Sequence, residues 1–199
     1  MAKRAMDILL CLIGIALLWP VFFFVAIAVK LDRGPVLYRA MRVGQNGKLF
    51  KLYKFRTMVP DADKIGPPIT SHEDTRITRV GRWLRNSKLD ELPQLINVLK
   101  GEMSLVGPRP EHPSYVAKYT EQQRKILNVL PGITSLATLK YRNEEKMIPK
   151  DNWEAVYEKK ILPQKIAIDL EYFNRSTFFS DLLLILKTLF VLIRRGNTV

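Results

Sequence analysis

Ile8 to Val29, written ILLCLIGIALLWPVFFFVAIAV, is a run of 22 residues without a charge. Such a run exceeds the roughly 18 residues that mark a candidate membrane helix and is longer than a signal-peptide core. No small-residue cleavage site follows, since the chain continues Lys30-Leu31-Asp32-Arg33. The segment is therefore expected to stay attached and in the bilayer. Lys3 and Arg4 precede it, and Lys30, Arg33, Arg39 and Arg42 follow it. Basic flanks prefer the cytoplasmic side, and here both flanks ask for that side. Pro20 falls near the middle, where it removes a helical hydrogen bond and favours a bend. The arms on either side would be roughly 18 and 15 Å long at about 1.5 Å per residue, each about half of a hydrocarbon core. A re-entrant helix satisfies both observations better than a kinked spanning one, although the residues alone admit either. Both place the rest of the chain in the cytoplasm.

The chain as a whole is strongly basic, with 32 Lys and Arg against 19 Asp and Glu. That field suits anionic lipid, a phosphorylated small molecule or nucleic acid, and charge does not choose among them. The single cysteine, Cys11, rules out an internal disulfide, and His72 and His112 lie far apart without cysteine companions. A zinc site is not expected.

Val36–Ala40 and Leu49–Phe55 flank Gln45-Asn46-Gly47, a hairpin signal whose strands carry Arg39, Arg42, Lys51 and Lys54, with Arg56 just beyond. Residues 58–75 are rich in Pro and Gly and read as a loop. Its Asp61-Ala62-Asp63 triplet lacks a preceding strand and reads as an exposed loop rather than a metal site. Helical periodicity returns at Val80–Leu84, Leu89–Leu99, Glu121–Leu130, Trp153–Leu162 and Lys165–Phe173, with Pro163 separating the last two. Phe178–Ile193 is apolar but contains Asp181 and Lys187 and ends at Arg194-Arg195, which fits a helix lying in the membrane interface. The expected fold is α+β and mostly helical. A compact domain over residues 34–199 carries the hairpin and the interfacial helix, and residues 1–33 form the membrane helix.

Asp90 and Glu91 are adjacent acids in a basic chain, directly ahead of Leu92-Pro93. Ser87, three residues before Asp90, suggests a capping box, and Pro93 is tolerated in a first helical turn. Plain capping would explain an arbitrary pair of this kind. Here Arg76, Arg79, Arg82, Arg85 and Lys88 come just before it, and Gly107-Pro108-Arg109-Pro110 soon after. Carboxylates among arginines supply what phosphoryl chemistry needs: a nucleophile or metal ligand, charge neutralisation and a stiffened phosphate contact.

The stretch from Asp74 to Pro110, DTRITRVGRWLRNSKLDELPQLINVLKGEMSLVGPRP, closely resembles the bacterial sugar transferases, the monotopic phosphoglycosyl transferases that load polyprenyl phosphate. The likeness extends to Lys3-Arg4-Ala5-Met6-Asp7, Tyr53–Met58, Pro131-Gly132-Ile133-Thr134, Asp169-Leu170-Glu171-Tyr172 and the terminal helix, which is nearly the whole chain. The resemblance implies transfer of a sugar 1-phosphate from a nucleoside diphosphate sugar, with a UDP-sugar expected, to undecaprenyl phosphate. Asp90 would form a covalent phosphosugar intermediate. Glu91 would help bind Mg²⁺, and Arg109 would contact phosphate with Arg85 and Arg76 completing the clamp. It also implies a re-entrant helix bent at Pro20, and a bacterial inner membrane location with the catalytic domain on the cytoplasmic face. A homodimer is allowed and not required. Two departures stand out: Trp19 precedes Pro20 where a small hydroxyl residue is common, and Ser135-Leu136-Ala137-Thr138 replaces the usual G-x-A-Q. The rival readings are a non-catalytic membrane scaffold of the same fold and a nucleic-acid recruiter. The second would need a nucleic-acid module, and none is visible beside Tyr38, Phe50, Tyr53 and Phe55.

Overall fold

The computed structural model describes residues 2–66, 74–142 and 153–195, and in it the apolar run forms one long helix, α1 (Ala2–Leu31). Pro20 lies inside it, so the carbonyl one turn earlier lacks its helical donor. One face of α1 packs on the protein: Cys11, Val25 and Val29 are buried. The other face is open, with Leu17 73 %, Trp19 63 % and Phe24 68 % exposed.

The hairpin pairs β1 (Leu37–Val43) with β2 (Leu49–Phe55), antiparallel, through a 3₁₀ turn at Gln45–Gly47. Asn46 takes the left-handed conformation that Asn tolerates, at φ 55°. Where a loop was expected, residues 58–66 include a short helix, α2 (Ala62–Ile65), and Met58 forms a bridge with Ile77. Asp61 precedes α2 in a left-handed conformation. His72 lies outside the described residues.

Helix α3 (Arg79–Ser87) starts at Thr78, whose side chain accepts from the Gly81 amide. A 3₁₀ turn, Leu89–Glu91, separates it from α4 (Gln94–Lys100). The expected capping box at Ser87 and single helix from Leu89 are both corrected here. Ser87 donates its hydroxyl back to Trp83 and Leu84 within α3, and the break falls at Lys88, which is left-handed at φ 59°. Pro93 has no N–H to continue the turn, and α4 begins just after it.

A parallel pair, β3 (Ser104–Val106) and β4 (Gly132–Thr134), forms a second small sheet that periodicity did not anticipate. Three residues per strand are too few to show alternation. Between these strands lie α5 (Pro113–Val116), which His112 caps, and α6 (Glu121–Arg124), with a 3₁₀ turn at Lys125–Asn128. After β4 come α7 (Leu136–Lys140), α8 (Trp153–Val156), α9 (Leu162–Arg175) and α10 (Phe178–Arg195). Pro163 does not split the helical run as expected. It sits in the first turn of α9, directly after a π-helical turn at Tyr157–Ile161, where a missing N–H costs least.

The Lys3, Arg4 and Asp7 motif docks the start of α1. Arg4 donates to the Val98 and Leu99 carbonyls at the end of α4, at 2.6 and 3.0 Å. Buried Asp7 accepts from the Leu105 amide of β3, and Lys3 pairs with Asp181 of α10. At the far end, buried Arg56 donates to the Val29 and Arg33 carbonyls, both at 3.0 Å. Two of the three core clusters include α1 residues: Cys11 with Leu52, Val98 and Met103, and Val25 and Val29 with Phe55 and Leu84. Packing thus crosses the boundary at residue 33. In α10 the acid that interrupts the apolar run, Asp181, faces inward and is 3 % exposed, accepting from Lys3 and Tyr172. Phe179, Leu183, Leu186 and Phe190 face out.

Candidate active site

Asp90 and Glu91 are held by a frame that starts with Asn97. Its side chain is fully buried, accepts from the Tyr53 amide, and donates to the Lys51 carbonyl and to Glu102. This fixes α4 against the free edge of β2. Lys54 is thereby brought to the 3₁₀ turn ahead of α4, and its Nζ donates to Glu91 Oε1 at 3.0 Å. From the other side Arg109 reaches Glu91 with both terminal nitrogens, at 2.7 Å to Oε1 and 3.3 Å to Oε2.

The Arg109 backbone is placed by a glycine contact. Gly107 and Gly132 pass so closely that a Cβ on Gly132 would meet the Gly107 amide nitrogen at 2.0 Å. The approach lets the Gly132 amide bond the Pro108 carbonyl at 2.9 Å and the Gly107 amide bond the Thr134 carbonyl at 3.0 Å. Buried Pro108 and Pro110 then stiffen the arginine between them.

The two neighbouring acids sit in opposite electrostatic states. Asp90 is 6 % exposed, and no hydrogen bond reaches its Oδ1. Burial pushes its carboxyl up, outweighing Lys54, and the charge on Glu91 adds to the rise. Burial also acts on Glu91, but Arg109 and Lys54 together overcome it and hold that carboxyl well below the usual carboxylate range. Neighbouring acids pushed apart in this way can serve different roles. Among the described residues no three His, Cys, Asp or Glu side chains cluster for a metal. Mg²⁺ needs only one or two carboxylates when substrate phosphates complete its shell, so Glu91 fits as the protein ligand of such an ion.

The arginine series divides. Arg85 is half-buried on α3, gives its Nε to Thr57 Oγ1 at 2.9 Å, and is among the cations acting on Asp90. Gly81 makes this contact feasible, since a Cβ there would meet the Thr57 carbonyl oxygen at 1.9 Å. Arg79 and Arg82 are exposed. Arg76 is buried and engaged locally, forking onto Asp74 and donating to the Ala62 carbonyl at 3.0 Å. Asp169 is buried against α7, where it accepts from the Ala137 amide at 3.0 Å; burial pushes its carboxyl up to about 6. From sequence Lys54 was named only as part of the basic hairpin surface, and Asn97 was not singled out. Lys54 lay in the Tyr53–Met58 motif, and Asn97 carried no signal beyond being a polar residue in an apolar helix.

Beside this centre lies a cavity of about 140 Å³ lined by Arg42, Lys54, Gln94, Arg109, Glu111 and Lys165, among others.

A family model described as bacterial sugar transferase matches residues 1–195. A galactosyl transferase, CpsE, of Streptococcus agalactiae is 35 % identical over 96 % of this chain and 42 % of its own length. The UDP-glucose:undecaprenyl-phosphate glucose-1-phosphate transferase of Escherichia coli is 38 % identical over 94 % of this chain and 39 % of its own length. The Caulobacter vibrioides protein of that same description is 36 % identical over 98 % of this chain and 71 % of its own length. The chain thus spans about two-fifths of the length of the first two relatives.

Proposed function

Because this chain belongs to the bacterial sugar transferase family, we propose that it moves a sugar 1-phosphate from a nucleoside diphosphate sugar, expected to be a UDP-sugar, to undecaprenyl phosphate. The observation that carries the reading is the divergent pair: an unpartnered, buried Asp90 oxygen beside a Glu91 clamped by Lys54 and Arg109. A carboxylate short of hydrogen bonds keeps its lone pairs for attack. Asp90 forms a bond to the sugar-bearing phosphorus, and the bond from that phosphorus to the bridging oxygen breaks. The electron pair leaves with the nucleoside monophosphate. An oxygen of undecaprenyl phosphate then attacks the phosphosugar adduct and returns Asp90 as the carboxylate. Glu91 would hold Mg²⁺, which would supply charge neutralisation at the transferring phosphoryl group. Arg109 and Arg85 bind phosphate oxygens. Arg76 belongs to that clamp only by holding the segment around Asp74 and Ala62 in place.

The test is nucleoside monophosphate release from a panel of nucleotide sugars by protein in lipid. Release should require undecaprenyl phosphate for multiple turnovers and stop with EDTA. Silence across a broad panel from folded protein would sink the assignment and favour a scaffold.

The membrane reading follows the same frame. Both ends of α1 are tied to one body, through Arg4 at the start and Arg56 at the finish. A helix so tethered enters the bilayer, turns at Pro20 and returns, with the outward residues of α1 and α10 meeting lipid. The catalytic domain then rests on the cytoplasmic face of the inner membrane. Cysteines introduced as Ala2→Cys and Leu31→Cys should both escape an impermeant maleimide in intact cells and both react in inverted vesicles. Opposite accessibility of the two would mean that the helix spans.

A further inference from the structure

Arg85 is held differently from the other buried or half-buried arginines of its series. Arg109 forks onto Glu91 and Arg76 forks onto Asp74, so each of those guanidinium groups meets a carboxylate that offsets its charge. Arg85 instead gives its Nε to a neutral hydroxyl, Thr57 Oγ1, at 2.9 Å. Among the described residues its two terminal nitrogens donate to nothing. A bond at Nε fixes the plane of a guanidinium and leaves its outer N–H groups aimed one way, as a phosphate fork requires. The charge so held acts on Asp90, and also on Asp74.

The hydroxyl is itself a fixed point. Thr57 is 8 % exposed, and its carbonyl accepts from the Thr78 amide at 3.1 Å. Arg56, just before it, is tied to the Val29 and Arg33 carbonyls where α1 ends, and Met58, just after it, bridges to Ile77. Gly81 lets α3 lie directly on the Thr57 backbone, where any Cβ would collide. An arginine in the last turn of a helix otherwise samples many rotamers. Fixing it before substrate arrives removes that ordering cost from the transfer step. A carboxylate in place of the hydroxyl would hold Arg85 as firmly, but it would cancel the charge that a transferring phosphoryl group calls on. Resting on the reaction proposed above, we infer that Thr57 is a positioning residue for it: the hydroxyl aims the Arg85 guanidinium at the transferring phosphoryl group without neutralising it. Thr57 acts through Arg85 and not by contact with substrate. The Tyr53–Met58 segment then carries two separate supports, Lys54 for Glu91 and Thr57 for Arg85.

The experiment compares Thr57→Val, which keeps the shape and loses the oxygen, with Thr57→Ser, which keeps the oxygen, in full-length protein embedded in lipid nanodiscs. Nucleoside monophosphate release should fall on the order of 10-fold in Thr57→Val and recover to within about 3-fold of wild type in Thr57→Ser. In an Arg85→Met background Thr57→Val should cost nothing further, because the group it positions is gone. The melting temperature of Thr57→Val should stay within about 2 °C of wild type, since water can reach a half-buried Nε in place of the hydroxyl. A merely structural role predicts the reverse: a lower melting temperature, and losses that add in the double variant. A second readout does not depend on turnover. The Nε–H proton of Arg85, followed in protein carrying isotope-labelled arginine and assigned by its loss in Arg85→Lys, should exchange slowly with water in wild type and Thr57→Ser. In Thr57→Val it should exchange on the order of 10-fold faster. Unchanged exchange, wild-type release from Thr57→Val or additive losses would each overturn the proposal. Wild-type protein silent across the nucleotide-sugar panel would refute the reaction and the use of Arg85 in it, while the exchange measurement would still tell whether Thr57 fixes Arg85.

Discussion

Asp90→Asn is expected to lose nucleoside monophosphate release by on the order of 10³-fold or more while melting above wild type at neutral pH. The loss follows from chemistry, because an amide oxygen does not form the anhydride with phosphorus that a carboxylate does. The gain follows from linkage. Burial raises the Asp90 carboxyl in the folded protein above its ordinary 3.8. A carboxyl raised on folding takes up protons more readily in the folded state. The stability it brings is fully present below the unfolded value and is lost as pH rises through the folded one. At pH 7 wild type therefore carries the cost of a buried charge that the amide lacks, and the difference in melting temperature should narrow as the pH falls. The same direction predicts an acid limb in the rate of adduct formation lying above the ordinary aspartate range, because the ionised form attacks. An Asp90→Asn protein that melts below wild type would show that the carboxylate is held by bonds rather than strained by burial. One that turns over normally would remove Asp90 from the reaction.

The parts of this arrangement that the sequence announced are those with a local signature. The apolar run became α1, the Asn-Gly turn became the hairpin, and the Asp-Glu pair stands with Arg109 at one centre. Element boundaries near the pair were less legible, because the capping choice at Ser87 and the left-handed Lys88 depend on tertiary packing of α3. Lys54 illustrates the larger gap. A lysine on an amphipathic strand looks like a solvated charge until a second element supplies its acid, and that element was fixed by Asn97, forty-three positions further on. Asp181 is the inverse case: a charge taken as a mark of the interface proved to face inward, because Lys3 from the opposite end of the chain was there to meet it. The β3–β4 pair joins segments too short for periodicity, and its only trace was two glycines whose partnership no local rule reveals.

Those two glycines carry the second large expectation. Gly132→Ala should destabilise the protein by about 2–4 kcal/mol and lower turnover by on the order of 100-fold in what remains folded. The added Cβ would meet the Gly107 nitrogen at 2.0 Å, its Cα at 2.5 Å and its carbonyl oxygen at 2.6 Å, all backbone atoms with no rotamer to yield. Relief requires the two segments to part, and parting them breaks the bonds from Gly132 to Pro108 and from Gly107 to Thr134. Arg109 rides on the segment that moves, so its fork onto Glu91 at 2.7 Å and 3.3 Å opens with it. Glu91 would then be left with Lys54 alone, and its carboxyl should rise from its depressed position because Arg109 opposes burial most strongly there. Gly47→Ala is the matched control. That glycine, unlike Gly132, has a positive φ, 76°, and nothing lies within 4 Å of a new Cβ. It should cost only the left-handed penalty of about 1–2 kcal/mol and leave turnover unchanged. Melting curves and nucleoside monophosphate release for the two variants measure the contact directly. Equal behaviour of both would mean that the close approach of Gly107 and Gly132 does not position Arg109. A Gly132→Ala protein that is destabilised yet fully active would mean that Glu91 works without its arginine.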